Sequence, residues 1–214
     1  MPLLLIDLDD TLIDRTAGLR RWAQRFCGEY ELGDEVEWIL EADGRGYTPR
    51  RDFHDAIRRR FVLRATVEEL AERYDADYPE FAVAPSAEAR VLLERLRREG
   101  WRVGVVTNGR PLQARKLAAA GLEELVDACC ISEVEGVRKP DRRLFERAAA
   151  LCGLPLTGAW MAGDNPNADM RGAHALGLHT IWFRLGRDWE EPDFTPTLAV
   201  DSLEEALAHL ARLP

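Results

Sequence analysis

Leu3-Leu4-Leu5-Ile6-Asp7-Leu8-Asp9-Asp10-Thr11 is an apolar run that stops abruptly on acidic residues. A buried parallel strand reads this way when its carboxyl end delivers polar groups to a site. Two other runs share the build: Arg102-Val103-Gly104-Val105-Val106 stops at Thr107-Asn108-Gly109, and Ala159-Trp160-Met161-Ala162 stops at Gly163-Asp164. Weaker strands are expected at Ala128–Ile131, His179–Phe183 and Leu198–Val200. Helical periodicity fills the intervals, at 87–99, 111–120, 142–151, 168–176 and 203–210. Strand–helix alternation of this kind predicts an α/β fold, a doubly wound parallel sheet covered on both faces.

Residues from about 14 to 84 break the alternation. They read as amphipathic helices near 16–30, 34–42, 51–61 and 66–78, with no convincing strand between them. The expected organisation is therefore a core of residues 1–14 and 85–214, and a small all-helical cap of residues 15–84 inserted after the first strand.

The 214 residues carry 29 basic and 38 acidic side chains, a net charge of −9. Such a surface repels nucleic-acid backbones and anionic membranes, so neither is an expected partner. A small phosphate ester remains an expected partner, because a local cation reverses the field inside one pocket. The cysteines Cys27, Cys129, Cys130 and Cys152 form no CxxC pair and no zinc spacing, and read as reduced, mostly buried thiols. The apolar start is interrupted by Asp7 too soon for a leader or a membrane span, so a cytoplasmic protein is expected. His54, His174, His179 and His209 lack metal-ligand spacing and read as structural.

In a doubly wound sheet, ligands sit beyond the carboxyl ends of the strands. Those ends carry Asp7 and Asp9, then Thr107 and Asn108, then Asp164, with Lys139 following the weaker strand at 128–131. Asp7 and Asp9 are two residues apart, so an extended backbone would point both the same way. Two close carboxylates resist joint ionisation, which separates an anionic nucleophile from a proton-holding acid. Asp7 and Asp164 offer the hard oxygens that Mg2+ prefers. Lys139 adds positive charge, and the Thr107 hydroxyl and Asn108 amide are hydrogen-bond donors for phosphate oxygens. Asn108, Gly109 and Arg110 are expected at a helix start, where free N–H groups favour anions, with Pro111 in the first turn.

Asp7-Leu8-Asp9-Asp10-Thr11, Thr107-Asn108, Lys139-Pro140 and Gly163-Asp164 through Asp169 resemble, in order and spacing, the four motifs of the haloacid dehalogenase-like hydrolases. The resemblance covers essentially the whole chain, and the helical block resembles the cap of the haloacid dehalogenase and phosphoglycolate phosphatase branch. It implies an aspartyl-phosphate on Asp7, with Asp9 as acid for the leaving group and then base for water. It implies phosphoryl binding by Thr107 and Lys139, and Mg2+ held by Asp7, the Asp9 backbone carbonyl and Asp164. Asp169 fills the second acidic position of the last motif, orienting a metal-bound water or Lys139. Haloacid dehalogenases attack carbon without magnesium and lack the second aspartate of the first motif, so Asp9 places this chain with the phosphatases. The alternatives are a phosphomutase acting on a sugar phosphate, a 2-haloacid dehalogenase, and a non-catalytic regulatory module of the same fold.

In the cap, Arg45, Tyr47, Arg50, Arg51, His54, Arg58, Arg59 and Arg60 make a basic stretch. Most read as a solvated face paired with Asp52 and Asp55. Arg45 and Tyr47 are the candidate specificity residues, since Gly44 and Gly46 suggest an exposed loop. Trp22 reads as packing, and Gly172, Ala173, Ala175 and Gly177 as a close helix–sheet contact.

Overall fold

A computed structural model describes residues 1–213. They form two compact units, one of residues 1–13 with 84–213 and one of Asp14–Val83.

The first unit is built on six parallel strands: β1 (Leu3–Ile6), β2 (Arg102–Thr107), β3 (Ala128–Ile131), β4 (Trp160–Gly163), β5 (His179–Phe183) and β6 (Leu198–Val200). Their order is β3-β2-β1-β4-β5-β6, so successive connections run one way from β1 and then the other. That reversal beside β1 opens the crevice in which ligands of such sheets bind. The register places Leu3 opposite Arg102 and Ile6 opposite Val105 on one side, and Ile6 opposite Ala162 on the other. Asp7 extends the ladder by one step, donating its N–H to Ala162 O at 2.9 Å.

All four β1 residues are buried, as a central strand with two covered faces requires. Leu3 and Leu5 share a core cluster with Leu144, Phe145, Met161 and Trp182, and Leu4 and Ile6 alternate to the opposite face. Chain order continues through the helices α1 (Arg15–Glu29), α2 (Val36–Asp43), α3 (Arg50–Arg60), α4 (Val67–Asp77), α5 (Ala87–Arg98), α6 (Leu112–Ala119), α7 (Ser132–Glu135), α8 (Arg142–Leu151), α9 (Gly172–Ala175) and α10 (Leu203–Leu210). Serine caps open α5 and α10: Ser86 accepts from Ala89 N–H and Ser202 from Glu205 N–H.

The second unit holds α1 to α4. Asp14 caps α1 by accepting from Ala17 N–H, and Thr66 with Glu69 forms a capping box on α4. Trp22 packs against Phe26, Phe53 and Tyr74, with ring centroids 5.0, 6.4 and 4.9 Å away. Here the tryptophan is core, as its sequence context suggested. A buried ion pair joins Arg15 to Asp43 through two bonds of 2.8 and 2.7 Å, and Asp43 also accepts from Arg50 and from Gly46 N–H. The same carboxylate thus ties α1, α3 and the Gly44–Gly46 turn together.

Most element ends agree with the sequence reading to within one or two residues. One helix differs more. The stretch expected at 168–176 is a π-helical turn, Pro166–Arg171, followed by the short α9. Pro166 limits the backbone bonding at its start, and the Asn165 side chain caps the turn by accepting from Asn167 and Ala168 N–H. Among the described residues no helix is long and apolar enough to cross a membrane. All four cysteines are free thiols, Cys129 half-buried and the others buried.

Gly172 sets the approach of α9. A Cβ there would lie 2.9 Å from the Phe145 ring and 3.1 Å from the Pro140 backbone. Gly172→Val is expected to destabilise the protein by about 1–3 kcal/mol through overpacking, read as a shift in the urea midpoint at unchanged slope.

Candidate active site

Asp7 stands one residue beyond β1 and is 8% exposed. Its Oδ1 accepts the Leu8 N–H at 2.8 Å and lies 2.8 Å from Lys139 Nζ. Lys139 is 3% exposed, and its ammonium also donates to Val106 O at 2.7 Å and lies 2.7 Å from Asp169 Oδ1. One of its N–H groups goes to the Val106 carbonyl, and the two carboxylates face its charge at ion-pair distance. This lysine is thus a buried counter-charge between two carboxylates rather than a surface lysine. Both flanking charges are needed for it to stay ionised. Burial works against the cation, yet Asp169 and Asp7 outweigh it and hold Lys139 above the ordinary lysine range.

Asp169 is fully buried on the π-helical turn. Its Oδ2 accepts from Asn165 N–H at 3.0 Å. Gly163 makes room for it, because a Cβ at that position would fall 2.3 Å from Asp169 Oδ2. Of the two tasks considered for Asp169, the observed contact is with Lys139. Asp164, at the end of β4, is half-buried and accepts at its backbone oxygen from Trp182 Nε1 at 3.1 Å and from an Arg187 guanidinium N–H at 2.7 Å. The same guanidinium nitrogen lies 3.3 Å from Asp164 Oδ2.

Carboxylate oxygens of Asp7, Asp164 and Asp169 all lie within 4.8 Å of one another. Burial raises the Asp7 carboxyl far above the aspartate range, opposed by Lys139 and reinforced by Asp169 and Asp9. Burial also pushes Asp164 up to about 8, with Asp169 and Asp7 adding to the rise and Arg187 opposing it. Once ionised, three acids facing one lysine carry surplus negative charge. A hard divalent cation with oxygen preference fits that donor set.

Thr107, 1% exposed at the end of β2, accepts at Oγ1 from Gln113 Nε2 at 2.7 Å. Its own O–H proton therefore remains available to donate. Asn108 does something the sequence did not suggest. Its side chain clamps the Lys139 backbone, accepting from Lys139 N–H at 2.8 Å and donating to Lys139 O at 3.0 Å. The helix expected at 111–120 runs from Leu112 to Ala119 with Pro111 at its cap, and ahead of it Gly109 donates its N–H to Ser132 Oγ at 3.0 Å.

Asp9 also departs from expectation. The chain leaves the extended conformation after Asp7, and Leu12 and Ile13 N–H groups both turn back onto Leu8 O. Asp9 is in that turn, and its carboxylate meets Gln113 Nε2 at 2.9 Å and Lys116 Nζ. Neither partner was singled out in the sequence, although a signal existed. Gln113, Lys116 and Leu117 are the buried positions of α6, so two polar side chains stand where an apolar stripe belongs. Arg187 had no such signal. Arg45 and Tyr47 belong to the second unit, both exposed, with Arg45 at φ +55°. The neighbouring arginines are paired much as a solvated face would be, Arg59 with Asp55 at 2.8 Å and Arg60 with Glu35 at 3.0 Å.

A family model described as haloacid dehalogenase-like hydrolase matches residues 1–177. This chain belongs to that family. Within it, the chain is 32% identical to a phosphoserine phosphatase of Thermus thermophilus, over 96% of this chain and 97% of the relative. An (S)-2-haloacid dehalogenase of Pseudomonas sp. strain YL is 32% identical over 56% of this chain and 53% of its own. The fold of the HAD hydrolase YfnB from Bacillus subtilis superposes with a TM-score of 0.75 over 99% of both chains, at 23% identity.

Proton binding at the acid cluster gives the site a pH signature. A raised aspartate pKa means the folded state keeps protons that the unfolded chain has released. Stability from this source is therefore full at low pH and is lost as pH climbs from the ordinary 3.8 toward about 8. A cation bound to the ionised cluster offsets that loss most at the upper end. Millimolar Mg2+ is expected to raise the melting temperature more at about pH 8 than at about pH 6, as read by differential scanning fluorimetry. Equal shifts at the two pH values would show that these acids do not take the ion.

Proposed function

We propose that this HAD-family hydrolase is a Mg2+-dependent phosphatase that transfers the phosphoryl group of a small phosphate monoester to Asp7 and then to water. As a family member with a full-length phosphatase relative, the chain is a phosphoric monoester hydrolase. The observation that carries the finer reading is the buried Asp7 carboxylate, with Lys139 at 2.8 Å and Asp164 and Asp169 within 4.8 Å.

Asp7 Oδ1 is fixed by Leu8 N–H and Lys139, which orients Oδ2 as the attacking atom. The Oδ2–P bond forms as the bond from phosphorus to the ester oxygen breaks. Asp9 gives that oxygen a proton, and the alcohol leaves. Asp9 then takes a proton from water as the water oxygen attacks phosphorus. The acyl phosphate P–O bond breaks, releasing orthophosphate and restoring the Asp7 carboxylate. Thr107 presents its free O–H to the phosphoryl oxygens, and Lys139 contributes its charge through Asp7. When bound by Asp7, Asp164 and the Asp9 backbone carbonyl, Mg2+ supplies charge neutralisation for the phosphoryl oxygens.

Carbon attack on a haloacid is disfavoured by Asp9, a second carboxylate that a dehalogenase does not need. A phosphomutase shares the first step, and the two part at the second, where water or a sugar hydroxyl accepts the phosphoryl group. Arg45 and Tyr47 are proposed as specificity residues for an anionic substrate.

Asp7→Asn is expected to lower p-nitrophenyl phosphate turnover by at least about a thousandfold. EDTA is expected to abolish turnover, with full recovery on adding excess Mg2+. Wild-type rates in either assay would overturn the proposal.

A further inference from the structure

Asp9 lies past the end of β1, where its backbone makes an isolated bridge with Ile13 outside the sheet. Two residues of α6 meet its side chain, one on each carboxylate oxygen: Lys116 Nζ on Oδ1 and Gln113 Nε2 on Oδ2, the latter at 2.9 Å. They are linked to each other, Lys116 Nζ donating to Gln113 Oε1 at 2.8 Å. The second N–H of Gln113 goes to Thr107 Oγ1 at 2.7 Å. Both side chains are buried, at 3% and 2% exposure, and lie at i and i+3 on one helix face. A bidentate grip of this kind fixes the plane of a carboxylate as well as its position.

Gly109 gives Gln113 its seat. A Cβ at 109 would fall 2.8 Å from Gln113 Cγ and 3.0 Å from Cδ. The glycine after Thr107-Asn108 therefore has a purpose beyond turning the chain: the glutamine folds back beneath it to reach Asp9.

We propose that Gln113 and Lys116 are positioning residues, which hold Asp9 in the orientation its proton transfers require, with Gly109 making the space. This rests on the reading of Asp9 as proton donor and acceptor. Gln113 acts on two groups together, since its N–H on Thr107 Oγ1 also leaves the threonine proton directed elsewhere. A merely structural ion pair would alter stability and affect all substrates alike. A positioning role makes the loss depend on how much the leaving group needs a proton.

The test compares kcat/KM, which reports the first chemical step, for glycerol 2-phosphate and for 2,4-dinitrophenyl phosphate. Alkoxide departure from the first needs protonation, whereas dinitrophenolate leaves without it. With the full chain and Mg2+, Lys116→Met and Gln113→Leu are expected to lose about 10- to 100-fold on the alkyl ester and less than about 3-fold on the dinitrophenyl ester. Lys116→Arg, which keeps a cation, is expected to recover most of the alkyl-ester activity. Gly109→Ala keeps both polar side chains and only shifts Gln113, so the same selective loss at smaller size is expected from it. That variant and Gln113→Leu decide the matter if Lys116→Met does not fold. Equal losses on both esters in an active, folded series would overturn the positioning role and leave the phosphatase reading standing. A wild-type enzyme that releases phosphate from neither ester would overturn both.

Discussion

The Lys139 ammonium lies between two buried carboxylates that would otherwise repel each other. Removing either acid would leave a buried lysine short of a partner, and removing the lysine would leave two anions beyond the carboxyl ends of the central strands. Breaking a buried pair from one side is costly in a way that exposed pairs are not. The ammonium also reaches Val106 O at the end of β2, and Asn108 grips its backbone from the same strand end. Asp7 after β1 and Asp169 after β4 are therefore joined by a single group that follows β3. Much of the local architecture, including the absent side chain at Gly163, serves to let these three meet.

The same site holds two differently built cation–carboxylate contacts. Lys139 is locked on three oxygens and keeps Asp7 still. Lys116 works with a neutral amide and engages an acid that stands in a turn. In the proposed chemistry Asp7 must be fixed against phosphorus, while Asp9 must exchange a proton twice. The two environments differ in the way those two tasks differ. Asp164, gripped at its backbone oxygen by Trp182 and Arg187, completes the acid cluster from the far side of β1.

The strands and the strand-end residues were readable because parallel strands buried on both faces must be continuous apolar runs, and Leu3-Leu4-Leu5-Ile6 cannot be much else. The order Asp7, Thr107, Lys139, Asp164 was readable for the same reason, each following a run. What stayed hidden depended on chain direction after those runs. The turn at Leu8 and the π-helical turn at Pro166 are set by hydrogen bonds local to the folded site, such as Leu12 N–H to Leu8 O and Asn165 N–H to Asp169. The clamp of Asn108 on the Lys139 backbone was not legible because the two residues lie 31 positions apart. Gln113 and Lys116 were visible only as polar residues out of place on an apolar face.

Strand order has a further consequence for how the molecule is made. Of the strands in this sheet β1 is synthesised before its partners, and its neighbours β2 and β4 are about 100 and 160 residues behind it. At roughly 5–20 residues per second, β1 waits for many seconds as an uncovered apolar segment. Such non-local pairing is slow to form and exposed to misassociation meanwhile. The acids of Asp7 and Asp9 follow that strand directly, and place charge beside the stickiest stretch of the nascent chain during that interval.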